Sequence, residues 1–156
     1  MVDVDHFKKF NDTHGHDVGD HVLRLVASRL AEVGGGGRAF RYGGEEFSVL
    51  FPDSTLEEAL PHLEALRESI ANYRMSPRAE QRRQQPRNSQ DRRAAIGRRA
   101  SATPEKPDSA PEFLSVTVSI GAAQSGARLD SPPAVIKAAD QALYRAKQAG
   151  RNRVSR

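Results

Sequence analysis

The chain has no cysteine among its 156 residues, which excludes a disulfide framework and a thiolate metal site. No apolar run approaches the ~20 residues of a membrane-spanning helix, and no signal peptide is apparent at the start. Taken by itself the sequence predicts a soluble chain. An excess of positive charge is also missing from most of it. Residues 75–112 hold eight Arg and one Lys against five acidic residues, and this difference is the whole net charge of +4. The same stretch lacks apolar periodicity and contains no Phe, Tyr or Trp. Its bases-per-length invite a tether to nucleic acid or anionic lipid, but bases would find no stacking platform there, so nucleic acid is not an expected partner. Its Arg, Gln, Pro, Ser and Ala content predicts a disordered or low-complexity insertion.

The remainder is patterned. Val22, Leu23, Val26, Ala27, Leu30 and Val33 follow helical spacing and predict a helix over 20–33, stopped by Gly34–Gly37. Arg38–Tyr42 and Phe47–Phe51 read as a β-hairpin with Gly43–Glu46 between them. Thr55 and Glu58 form a T-x-x-E capping box before a helix carrying Leu56, Ala59, Leu60, Leu63, Leu66 and Ile70, which Pro61 should bend. Phe113–Ala123 alternates as a strand, with Leu114, Val116, Val118 and Ile120 on one face and Thr117 and Ser119 on the other. Ser131 and Pro132 start a last helix that Gly150 ends. Val2–Asp3–Val4–Asp5 reads as the close of a strand with only Met1 before it. The order predicts an α+β fold with helices on a mostly antiparallel sheet.

Two acidic stations stand out in this pattern. Asp3 and Asp5 lie at the end of a strand, and Glu45 and Glu46 at a hairpin turn. If those strands are neighbours, carboxylates converge, and a cation between them would relieve their repulsion. Mg²⁺, a hard ion that shares oxygen ligands with phosphates, suits such a set. Each carboxylate alone is as well explained by solvation. Asn11 and Asp20 offer an amide and a carboxylate that match a guanine edge, although Asp20 also suits an N-cap and Asn11 a turn. Lys8 is placed to reach a phosphate. Lys147 and Arg151 stand four apart, where they either clamp phosphates or favour a helix C-terminus.

The stretches VDVDHFKKFNDTHGHDVGD, RYGGEEF, VTVSIGAA and ADQALYRAKQAGRNRV, in that order, resemble the signature blocks of the GGDEF domain, the diguanylate cyclase family of bacterial second-messenger signalling. The resemblance implies a palm-type, nucleotidyl-cyclase-like sheet wrapped by helices. It implies that the chain condenses two GTP into cyclic di-GMP, with Mg²⁺ or Mn²⁺ held by Asp3, the Val4 carbonyl, Glu45 and Glu46. Glu45 would accept the proton of the attacking 3′-hydroxyl. Asn11, Asp20 and His16 would form the nucleotide pocket, Lys8, Lys147 and Arg151 would hold phosphates, and the backbone around Phe7–Lys9 would donate N–H groups to them. One GTP per chain implies a homodimer for turnover.

The resemblance also carries departures. The family's inhibitory product site, an R-x-x-D motif, corresponds to Gly34–Gly37, with no guanidinium and no carboxylate. The family domain starts with a helix and a longer first strand, so residues 1–156 are expected to form a single domain lacking that helix and most of that strand. A sensor or membrane segment upstream is expected in a longer form, with this domain on the cytoplasmic side. The alternative is a catalytically weak or inactive domain that binds GTP or serves protein interaction.

Overall fold

In a computed structural model, residues 1–76 and 113–156 are described, so the Arg-rich insertion lies almost wholly outside the described residues. The chain divides into two compact units, residues 1–73 with 115–156, and residues 74–114. In the second, Met75 and Leu114 pair as an antiparallel bridge, with N–H···O distances of 2.9 and 2.8 Å.

The first unit runs β1 (Val2–Val4), α1 (Phe7–His14), α2 (His16–Ala31), β2 (Arg38–Gly43), β3 (Glu46–Leu50), α3 (Leu56–Ala71), β4 (Val118–Gly121), α4 (Pro132–Gln148) and β5 (Val154–Ser155). The five strands form one sheet in the order β2-β3-β1-β4-β5. Among the described residues only β4 and β5 pair in parallel. The mixed α+β, mostly antiparallel sheet agrees with the expectation. Short as it is, β1 is the central strand, bonded to β3 on one side and β4 on the other. Val2, Val4, Val118 and Ile120 are buried there, and so are the polar Asp3 and Ser119 between them, so burial is continuous along β1 and β4 while the apolar pattern alternates.

Several elements differ from their sequence readings. The helix expected over 20–33 begins at His16 and follows a separate helix, α1. Gly15, with φ +86°, separates the two, because the left-handed region suits glycine and ends a helix. Asp20 therefore lies inside α2 and is no N-cap, and Asn11 sits in α1 rather than in a turn. Helix α3 keeps its assignment through Pro61. The strand expected over 113–123 shrinks to four residues. Ser119, expected on a polar face, is fully buried in it. Strand β5, two residues long, had no period to reveal it.

The Thr55 capping box forms as expected, with both reciprocal bonds present. Helix α4 starts after Ser131 and lies directly on β4: a Cβ on Gly121 would come within 2.1 Å of the Ala139 carbonyl oxygen and the Leu143 nitrogen. Backbone contact at this point fixes where the C-terminal end of α4 arrives, and that end carries Lys147.

Candidate functional site

The hairpin of the RYGGEEF segment turns more tightly than its sequence suggests. Gly43 and Glu46 are register partners, so only Gly44 and Glu45 form the loop. Gly44 takes φ +50°, which a glycine at the first loop position allows without strain. The register shifts between Arg41 and Gly43, a bulge that re-aims the strand end. Arg41 braces the turn by donating from Nε and Nη2 to the Gly44 carbonyl at 3.2 and 2.8 Å. A Cβ on Gly43 would meet nothing within 4 Å, and its φ is not positive. Neither packing nor conformation explains that glycine.

Strand pairing brings the acidic stations together. Asp3 and Glu46 are direct register partners across β1 and β3, so their side chains leave the same face of the sheet. The Val4 N–H donates to the Glu45 carbonyl at 3.4 Å. Asp3 is buried, while Glu45 and Glu46 are half-buried. The carboxylate of Asp3 is also met by a cation from the far end of the sequence: Lys147 Nζ lies 2.8 Å from its Oδ2. Asp3 thus has a basic partner, which a reading of the acidic pairs alone does not supply. Among the described residues, no group of three or more His, Cys, Asp or Glu side chains gathers closely enough to hold a metal ion. The donors that do converge on β1 and the hairpin are hard oxygens, and the one that is buried already accommodates a positive charge. Such donors suit a hard divalent cation.

A second group of residues lies where β1 leaves the sheet. His6 takes φ +57° and makes no side-chain cap to α1. The first-turn N–H groups of a helix have no acceptor within it, so Phe7, Lys8 and Lys9 present donors at a helix N-terminus, which attracts anions. The expected backbone cradle is therefore the first turn of α1. Lys8 is exposed on it, and Phe7 is buried below.

Asn11, one turn further, is held against α2. Its Oδ1 is buried and has no hydrogen-bond partner. A Cβ on Gly19 would lie 1.7 Å from that oxygen, so Gly19 is what admits the amide. Sequence reasoning passed over Gly19, although a glycine in a helix interior costs about 1 kcal/mol against alanine and signals a reason of its own. Asp20, next to it, is exposed and lines a cavity of about 290 Å³ with Leu23, Arg24, Phe40 and Arg41. His16 opens α2 and is exposed; Arg151 is half-buried in the turn after α4. Asp3, Glu45, Glu46 and Lys147 are thus joined around β1 and the hairpin, and Asn11 lies beside Asp20's helix. Among the described residues, no hydrogen bond or ion pair joins His16 or Arg151 to them.

Comparison with known proteins gives a consistent picture. The profile of the family described as "Diguanylate cyclase, GGDEF domain" matches residues 1–90 and 84–153. The chain is 38% identical over 155 residues to the response regulator PleD of Caulobacter vibrioides, covering 99% of this chain and 28% of PleD. It is 35% identical over 155 residues to the diguanylate cyclase VdcA of Vibrio cholerae, covering 99% of this chain and 37% of that protein. The chain therefore spans about a third of such relatives. Among solved structures it resembles the GGDEF domain of DgcB from Caulobacter crescentus in complex with c-di-GMP, with a TM-score of 0.72 and 32% identity, over 99% of this chain and 73% of that one. It also resembles the diguanylate cyclase SiaD of Pseudomonas aeruginosa in complex with its activator SiaC, with a TM-score of 0.69 and 30% identity, over 98% of this chain and 46% of that one.

Proposed function

The chain belongs to the GGDEF domain family, and from that premise we propose that it condenses two GTP molecules into cyclic di-GMP with release of pyrophosphate. The observation that carries the proposal is the register of β1 on β3, which sets Asp3 opposite Glu46 and beside Glu45. A divalent cation held by Asp3, the Val4 carbonyl, Glu45 and Glu46 would neutralise charge on the triphosphate; Mg²⁺ or Mn²⁺ is our assignment.

The remaining roles fall to the chain's own groups. The open backbone at Gly43 leaves room for a nucleotide to lie along the hairpin. The Asn11 amide, whose buried oxygen has no partner, and the Asp20 carboxylate read the guanine edge, with His16 at the same helix start. Phe7–Lys9 donate their N–H groups to phosphates, and Lys8, Lys147 and Arg151 add charge around them. In each transfer the 3′-oxygen of one GTP bonds to the α-phosphorus of another, and the bond from that phosphorus to the pyrophosphate oxygen breaks. Glu45 takes the hydroxyl proton. A reacting distance of ~3–3.5 Å between oxygen and phosphorus demands that two loaded sites face each other. Two copies of the chain supply them, and two transfers close the ring. We assign to a sensor or membrane segment outside this sequence the task of bringing the copies together. We place this region on the cytoplasmic side; among the described residues no helix is long and apolar enough to cross a membrane.

The test is to incubate the purified chain with GTP and Mg²⁺, at a series of protein concentrations, and to measure cyclic di-GMP. Product that disappears in Glu45→Ala supports the proposal, and turnover that survives that substitution overturns the site. GTP binding without product under every condition favours the alternative of a nucleotide-binding or protein-interaction module.

A further inference from the structure

Asp5 has no task in the site described above, yet among the described residues it is one of three buried polar side chains. Its carboxylate collects donors from two distant segments. Ser119 Oγ donates to Oδ1 at 2.6 Å, while Thr117 Oγ1 and the Asn152 N–H donate to Oδ2 at 2.7 and 3.1 Å. No ion pair involving Asp5 is found among the described residues, so this is a carboxylate satisfied by neutral donors, and such bonds are stronger than neutral pairs.

The segment it grips is strained. Gly150, Arg151 and Asn152 take φ of +107°, +63° and +44° in succession. For the two that are not glycine this conformation costs roughly 1–2 kcal/mol each, and it persists only where surrounding contacts over-determine it. Those contacts are on hand. The Arg151 N–H donates to the Ala146 carbonyl at 2.9 Å, and Arg67 Nη1 donates to Asn152 Oδ1 at 3.0 Å. The third is the bond from Asn152 N–H to Asp5, which links the turn to the end of β1.

We propose that Asp5 is a positioning residue: it anchors the left-handed Arg151–Asn152 turn to the end of β1 and thereby aims Arg151 at the phosphates of a bound nucleoside triphosphate. The inference rests on the functional reading above, in which Arg151 holds phosphate. The Asp5 bond does not involve Lys147, so it persists when that ammonium leaves Asp3 for a phosphate. Asp3, in β1, and Asp5, just past its end, then divide the work, the first facing the cation and the second holding the phosphate clamp.

The experiment measures affinity for two probes, the α,β-methylene analogue of GTP, which cannot release pyrophosphate, and GMP. Asp5→Asn keeps the shape of the side chain but removes its charge and exchanges one acceptor oxygen for a donor, so the Asn152 N–H loses its charge-assisted bond. It is expected to weaken the analogue about tenfold, the loss of one bond to a charged group, and to leave GMP within about twofold. In an Arg151→Ala background the same change should cost less than about twofold more, because residues acting through one another are not additive. Equal losses for both nucleotides, or full additivity with Arg151→Ala, mean that Asp5 only supports the fold, and overturn the proposal. If Asp5→Asn does not fold, Thr117→Val carries the test, with a selective loss of about threefold for the analogue; an equal loss for GMP overturns the proposal. A folded wild-type chain that binds neither nucleotide overturns the functional reading itself, and this proposal with it.

Discussion

Asn11 and Gly19 occupy one space: a methyl group on Gly19 would stand 1.7 Å from the Asn11 amide oxygen, and 3.3 Å from the Phe7 ring. Two helices divided at Gly15 meet there, and the smallest residue of one lets a polar side chain of the other lie flat. The oxygen so placed is buried and lacks a partner, a costly state that a ligand donor would relieve.

The first prediction follows from that overlap. Gly19→Ala expels the Asn11 amide, but a short side chain can rotate away, and alanine in a helix interior recovers about 1 kcal/mol. Stability should therefore change by less than about 1 kcal/mol, while affinity for GTP falls about tenfold. Thermal melting and GTP titration check the two halves. A variant that binds GTP as the wild type does removes Asn11 from the nucleotide site.

A second prediction concerns Lys147, whose ammonium satisfies the Asp3 carboxylate at 2.8 Å. Lys147→Met leaves that buried carboxylate unpaired, at a cost of about 1–3 kcal/mol after allowing for the partly exposed lysine. A cation that takes the vacated place restores the loss by mass action. Adding Mg²⁺ should then raise the melting temperature of Lys147→Met more than that of the wild type. An equal rise in both would show that Lys147 and the cation do not share Asp3.

How far the sequence reaches can be judged residue by residue. The starts of α3 and α4 were legible because the Thr55–Glu58 capping box and Pro132 at the first helical position act within one turn of chain, and local chemistry decides them. The hairpin was legible for the same reason. Asp5 was not. Thr117 and Ser119 looked like the wet face of an amphipathic strand, and only the pairing of β1 with β4 turns their hydroxyls to a carboxylate 112 and 114 positions away. The Asp3–Lys147 pair is as remote in sequence, and its partners were each assigned to a ligand instead. The split of α1 from α2 was missed because Gly15 followed too few apolar positions to show where one helical stripe ended.

A third prediction is a pH dependence. Glu58 Oε2 accepts from the Thr55 N–H at 2.8 Å and from Thr55 Oγ1 at 2.9 Å. The backbone bond first, and the hydroxyl bond second, hold its carboxyl below its ordinary value, against a small opposing effect of burial. The charged form is thus favoured on folding, so its contribution is complete above the ordinary glutamate range and is lost as pH falls through the lowered value. The urea midpoints of wild type and Glu58→Gln should differ at neutral pH and converge in acid. A gap that widens toward acid contradicts the capping role.

The last prediction concerns Gly34–Gly37, where the family's inhibitory product motif would lie. Gly35 and Gly36 take φ of +65° and +74°, and the His62 ring presses on the turn: a Cβ on Gly34 or Gly35 would lie 2.9 Å from its Nδ1 or 2.3 Å from its Cδ2. At Gly37 a Cβ would meet Phe51 and Val33 at 2.8 Å. Gly35 and Gly36 are favoured by their left-handed backbone and Gly37 by its close neighbours, and the turn offers neither a guanidinium nor a carboxylate to a cyclic dinucleotide. Gly35→Ala should destabilise by about 1–2 kcal/mol from its left-handed backbone alone. Any inhibition by cyclic di-GMP should then be competitive with GTP, since the product can compete only at the active site. Initial rates measured across a grid of GTP and cyclic di-GMP concentrations decide it. A non-competitive component that disappears on changing His62 or residues 34–37 would establish a product site that this turn's chemistry gives no means to build.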